Sequence, residues 1–215
     1  MNSGMRWRIM SLQAILVLVL GFVAGFCFWA NSFTTSYVHD QLVAQHISFP
    51  AASEIKAGGA LDPAEFPASI RQYAGTPLDS GDKAKEYANN FIGKHLESVG
   101  KDPVTGKVIL DADGQVLTYS TMGDYITAQK AAGASTATIT TLNGERDTMF
   151  KGEMLRGTLL NAWGWSQLGL YAGYAAFGLV VATAVVAAAF FFELFLMLYG
   201  VRKESEGVVT RTSTA

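Results

Sequence analysis

Residues 9–30 read IMSLQAILVLVLGFVAGFCFWA and carry no charge, and residues 168–200 read LGLYAGYAAFGLVVATAVVAAAFFFELFLMLYG with Glu193 as the sole ionised group. Twenty-two helical residues at ~1.5 Å each reach about 33 Å, close to the hydrocarbon thickness of a bilayer. The first stretch therefore predicts a full membrane span. The second is longer than one crossing needs, so it either tilts or stands partly above the lipid.

Basic residues fix the direction. Arg6 and Arg8 precede the first stretch, and Arg202 and Lys203 follow the second. Positive charge stays on the cytoplasmic side, which predicts both termini in the cytoplasm and the middle of the chain outside. Aromatic residues agree, with Trp7 and Tyr199 at the inner boundary and Trp29, Trp163, Trp165, Tyr171 and Tyr174 at the outer one. A cleaved signal peptide is the rival reading of the first stretch. Its cleavage site is poor, since Phe28, Trp29 and Ala30 precede Asn31 and Phe26 precedes Cys27, where small residues are wanted.

These readings divide the chain into a cytoplasmic N-terminus (1–8), a first span (9–30), an extracytoplasmic domain (31–167), a second span (168–200) and a cytoplasmic tail (201–215) too short to fold and expected to be disordered. Half the residues are apolar and 16% are charged, an apolar bias for a soluble domain. Between Asn31 and Leu160 there are 15 Asp and Glu against 11 Lys and Arg, four more acids than bases. So acidic a surface argues against nucleic acid as a partner. The single cysteine, Cys27, sits inside the first span, which leaves the outer domain no thiol for redox chemistry.

Within the outer domain, the chain from Asn31 has no breaker before Pro50, so the first helix is expected to continue outward until proline stops it. A loop with Gly58, Gly59, Pro63, Pro67, Gly75 and Pro77 follows. Asp79 or Ser80 can then cap a helix in which Ala84, Tyr87, Ala88, Phe91, Ile92, His95, Leu96 and Val99 recur at steps of three and four, with Gly100 ending it. Residues 107–110 and 115–119 flank Asp111-Ala112-Asp113-Gly114, which predicts a small β-hairpin. A brief helix near 123–132, a polar Ser/Thr turn and a helix from about Asn143 into the second span complete the reading. The fold class is a mainly α membrane protein with two transmembrane helices and a mostly helical outer domain.

Sites are few. His39, His46 and His95 all fall in the outer domain, but no H-E-x-x-H or similar ligand spacing occurs, and two helical turns separate His39 from His46. Packing or surface histidines are the expectation, with a metal-dependent enzyme as the alternative. The Asp-Ala-Asp-Gly run lacks the glutamate that an EF-hand has at position twelve, where Met122 stands, so it reads as a turn. Phosphate loops, nucleophile elbows and Cys-x-x-Cys pairs are absent, and no catalytic, cofactor or metal residue is assigned. Glu193 is an intramembrane carboxylate that snorkels, or pairs with Arg8 or a neighbouring subunit. Gly21 and Gly25, and Gly169 and Gly173 continued by Ala176 and Ala184, are small residues spaced to let helices approach.

Three groups of residues carry a resemblance: Tyr37-Val38-His39-Asp40-Gln41-Leu42 with Gln45 and Ile47-Ser48-Phe49-Pro50; Gly81-Asp82-Lys83-Ala84 with Tyr87-Ala88 and Phe91-Ile92-Gly93; and Phe150-Lys151-Gly152-Glu153 with Leu155-Arg156-Gly157 and Leu159-Leu160-Asn161-Ala162. Together they resemble a family of uncharacterised actinobacterial two-span membrane proteins, some labelled as ring-opening dioxygenases. The resemblance implies the plasma membrane, and the label would imply a ferrous site of two His and one carboxylate. The function expected is a non-enzymatic assembly or accessory protein in contact with the lipid bilayer, as a homo-oligomer or a subunit of a larger envelope or respiratory complex. An extracytoplasmic small-ligand binding module is the further alternative.

Overall fold

The computed structural model describes residues 3–102, 107–111 and 113–212. About 75% of the chain is helix, and among the described residues there is no strand. The elements are α1 (Ser3–Val43), a 3₁₀ turn (Ala52–Glu54), α2 (Ala68–Arg71), α3 (Gly81–Glu86), a π segment (Tyr87–Ile92), α4 (Gly93–Val99), α5 (Tyr119–Ala131) and α6 (Thr136–Thr212).

Two compact units divide this chain, one of residues up to Phe33 with those from Leu168, the other of Thr34–Gln167. In the first unit, α1 and α6 are both long and apolar enough to cross a membrane. None of the most apolar 18-residue window of α6 is buried by protein. Leu18, Phe22, Phe177 and Val185 all stand exposed, which is unlike the core helix of a water-soluble protein. The helix of α6 continues through Thr212, where the sequence reading expects a disordered tail.

The second unit is built on two apolar clusters. In the larger, Val38 and Leu42, one turn apart on α1, meet Phe49, Leu61, Phe66, Ile70, Leu78, the stripe Ala84, Ala88 and Ile92, and Leu159 from α6. Helix α1 stops at Val43, seven residues before Pro50. Backbone N–H groups of Gln45 and His46 bond to the carbonyls of Leu42 and Val43 at 3.1 and 3.0 Å, and His46 turns the chain at φ 53. This break lets Phe49 enter the core, while an antiparallel bridge pairs Ser48 with Pro77. Tertiary packing thus ends the helix before proline does.

The breaker-rich loop after Pro50 is organised by Asp62, whose carboxylate accepts from the backbone N–H of Gly58 at 2.6 Å and of Ala64 at 2.8 Å. Gly58 has φ +71, a left-handed conformation that favours glycine. Farther on, Ser80 precedes α3 in an extended conformation without a side-chain cap. Gly81 lies against Ser166 and Trp163 of α6, and a side chain there would overlap Ser166. α3, the π segment and α4 follow without interruption to Gly100.

The smaller cluster joins Ile109, Leu117, Met122, Ile126, Leu142 and Met149. The expected β-hairpin does not form as a ladder. Among the described residues its two arms share one isolated bridge, Leu110 with Val116, around a turn whose Ala112 lies outside those residues, and Val108 pairs instead with Lys101. Asp111 Oδ1 accepts from the backbone N–H of Asp113 and Gln115, and Gly114 takes φ +74, so turn chemistry is present without paired strands. Inward-facing Ile109 and Leu117 pack on helices, and a two-stranded ladder alone would be marginal. A capping box between Thr118 and Thr121 opens α5 at Tyr119, earlier than residue 123. α6 also starts earlier, at Thr136 instead of Asn143, where Ser135 Oγ accepts from Thr138 N–H at 3.1 Å.

Candidate functional sites: a groove between the long helices and a cleft at Arg156

In the first unit, α1 and α6 enclose an open groove of about 780 Å³. Gly21, Ala24 and Gly25 form one wall, Gly173, Ala176 and Ala184 belong to the other, and the exposed rings of Phe28 and Phe177 also line it. The small residues singled out from the sequence divide into two roles. Gly173 allows a close approach, since a Cβ there would come within 3.0 Å of Asn31 Nδ2, and Ala176 is buried. Asn31 Nδ2 donates to the backbone carbonyl of Gly169 at 2.8 Å, which ties the helices at this level. Gly21 and Gly25 instead face open space, with nothing within 4 Å of the point where a Cβ would stand. Small residues on both walls thus line the groove beside the Asn31 contact. Glu193 is half-buried on α6 and forms no ion pair with Arg8 among the described residues.

In the second unit, a cleft of about 200 Å³ lies among the π segment, α4, residues 116–119 and α6. Arg156 of α6 donates from one terminal nitrogen to Asn89 Oδ1 at 3.2 Å and from the other to Glu153 Oε2 at 3.5 Å. Its Nε is occluded and has no hydrogen-bond partner among the described residues. Asn89 belongs to the π segment, and single π turns inside helices recur at functional sites. Next to it, Asn90 donates to Glu86 Oε2 at 2.6 Å, and the Tyr87 hydroxyl is pushed up from its ordinary pKa by burial. Glu97 also lines the cleft and pairs with Lys94 at 2.8 Å.

The histidines have separate tasks. His39 Nδ1 lies 2.9 Å from the carbonyl of Asp79, His46 occupies the left-handed turn, and His95 packs its ring against Phe91 and Phe66 with Nδ1 2.8 Å from the Phe91 carbonyl. His39 and His46 do not share a continuous helix, as α1 ends between them. Among the described residues no three His, Cys, Asp or Glu side chains are grouped as a metal ion requires. Asp111, Asp113 and Asp124 line a third recess, but the Asp111 carboxylate is occupied by its own turn.

Sequence reasoning passed over Asn31, Ala24, Asn89 and Arg156. Asn31 was within reach, as a buried-facing amide at the edge of an apolar run needs a partner. Asn89 and Arg156 are 67 residues apart, and no spacing rule joins them. No family model, curated protein or solved structure matches this chain.

Proposed function

We propose that this chain is an integral protein of the bacterial plasma membrane that crosses the bilayer twice, with Thr34–Gln167 outside and both termini cytoplasmic. In this reading it is a non-enzymatic assembly or accessory protein, a homo-oligomer or a subunit of a larger envelope or respiratory complex. Exposed apolar side chains along α1 and α6 support the membrane setting, and the basic residues Arg6, Arg8, Arg202 and Lys203 support the orientation.

The observation that carries the assembly role is the groove. Its glycines at positions 21 and 25 are not used for contact within the chain, although helix association in lipid depends on such close approach. Gly25→Ile separates the possibilities, because the new side chain meets no atom of its own chain near its attachment. In nanodiscs the wild type should have the mass of more than one chain, or of a chain with a partner, and Gly25→Ile should reduce that mass without lowering Tm. A wild-type particle of one chain, or an unchanged mass for Gly25→Ile, refutes assembly through this groove. Orientation is checked on intact cells with an impermeant thiol reagent in a Cys27→Ser background: Asp111→Cys should react and Ser205→Cys should not.

A further inference from the structure

From the side chains around Arg156, we infer that the cleft in the second unit binds a small zwitterion, an α-amino acid with an aliphatic side chain. The volume sets the scale: about 200 Å³ is below the ~300–1,000 Å³ of drug-sized sites. It admits a molecule of metabolite size.

Charge selects the class. Arg156 contributes one positive charge to the lining and Glu153 one negative charge, the Glu97 carboxylate being paired with Lys94 at 2.8 Å. A simple anion would meet the Glu153 carboxylate, and a simple cation would meet the guanidinium. A ligand bearing both signs satisfies both ends. Arg156 has donors to spare, because each terminal nitrogen carries two N–H groups and makes one bond, of which the contact to Glu153 is long at 3.5 Å. The remaining N–H groups suit a carboxylate. Glu153 is held only by that long contact among the described residues, so it is available to an ammonium group. Asn89, fixed by the π segment, keeps the guanidinium in place through a neutral acceptor that does not neutralise it.

The apolar walls define the rest of the ligand. Leu96, Val116, Leu117 and Met149 line the same cleft, and Met149 and Leu117 also belong to the smaller core cluster. An aliphatic side chain fits against them, whereas a second charged group would be left without a partner.

L-Leucine is the probe, titrated calorimetrically into the full chain in nanodiscs up to ~10 mM, beyond the ~1 mM that corresponds to about −4 kcal/mol. Two analogues, 4-methylpentanoate without the amine and isopentylamine without the carboxylate, each remove one charged group. Leucine should bind, and each analogue should bind about ten- to hundredfold more weakly, as expected for loss of a charged hydrogen bond. Arg156→Gln and Glu153→Gln should weaken leucine binding by a similar factor. Absence of leucine binding to folded protein overturns the inference, as does either analogue binding as well as leucine. Leucine affinity unchanged in Arg156→Gln also overturns it. If that variant fails to fold, the ligand series on the wild type decides.

Discussion

Gly81→Ala tests whether the start of α3 is seated on α6 as closely as the structure has it. Gly81 is buried, and an added Cβ would overlap the Ser166 side chain and lie 3.3 Å from the Trp163 Cα. The Ser166 side chain cannot yield easily, because its Cβ is fixed to a helix and its Oγ donates to the Trp163 carbonyl at 2.7 Å. Overpacking of this kind costs about 1–3 kcal/mol. So deep an overlap with Ser166 places this substitution at about 2–3 kcal/mol, and replacing glycine in a helix returns about 1 kcal/mol of backbone entropy, so the expected net loss is about 1–2 kcal/mol. At about 2–4 °C per kcal/mol for a chain of this size, Tm falls by about 2–8 °C. Tryptophan fluorescence of the full chain in detergent, at one scan rate, is a suitable reading because Trp163 borders the contact, with Lys85 Nζ 4.5 Å from its ring centre. Ser166→Gly removes the obstructing atoms at a helix-glycine cost of about 1 kcal/mol. The double variant should therefore lose less than the two single variants together, with a coupling of about 1–2 kcal/mol. A Tm for Gly81→Ala at or above the wild type, or strict additivity in the double variant, refutes the close seating.

Glu145 is raised above its ordinary 4.5 by burial first and by the Asp102 charge second. The folded state then holds this proton more firmly than the unfolded state, so the group favours folding at acid pH and loses that contribution as pH rises through its raised value. Glu145→Gln should raise stability near pH 7, by no more than about 0.5 kcal/mol at this half-buried site where solvent still screens the charge, with the gain vanishing below about pH 4; a loss at pH 7 would contradict it. Thr118→Ala removes the capping box of α5 and should cost about 0.5–2 kcal/mol, seen as faster hydrogen exchange in the first turn of that helix. Unchanged exchange there would show that the cap is dispensable.

The long helices were legible because charge is absent over more than twenty residues, a signal that packing does not alter. The helix before Gly100 was legible for a related reason, since its apolar residues recur at steps of three and four and glycine marks its end. Two boundaries and the hairpin were not. α1 ends at Val43 because Phe49 must reach a core assembled from residues as distant as Leu159, and no residue between Ala44 and His46 signals a break. The Thr-rich start of α6 reads as a turn by propensity, and only the Ser135 cap favours helix. The hairpin failed for the opposite reason: its turn residues are right, but Ile109 and Leu117 are buried by packing on helices, and its two arms share only an isolated bridge. In the groove, spacing picked out Gly21, Gly25 and Gly173 yet could not say which of them faces the opposite helix. The Arg156 cleft draws on three separated stretches, and pairwise spacing carries no information about it.

The π segment at Tyr87–Ile92 has a consequence for how this chain can change in length. A π turn holds one residue more than the α turn it replaces, so it behaves as an insertion that the helix has absorbed without forming a loop. Deleting one residue there would restore ordinary winding and leave the turns before and after it in register, whereas the same deletion in the α turns of α3 or α4 would rotate everything beyond by about 100° about the helix axis. The local cost falls on the segment's own contacts, among them that of Asn89 with Arg156. Single-residue deletions in descendants of this gene should therefore be accepted within these six positions, as in the loop between Pro50 and Pro77, and rejected in α3 and α4.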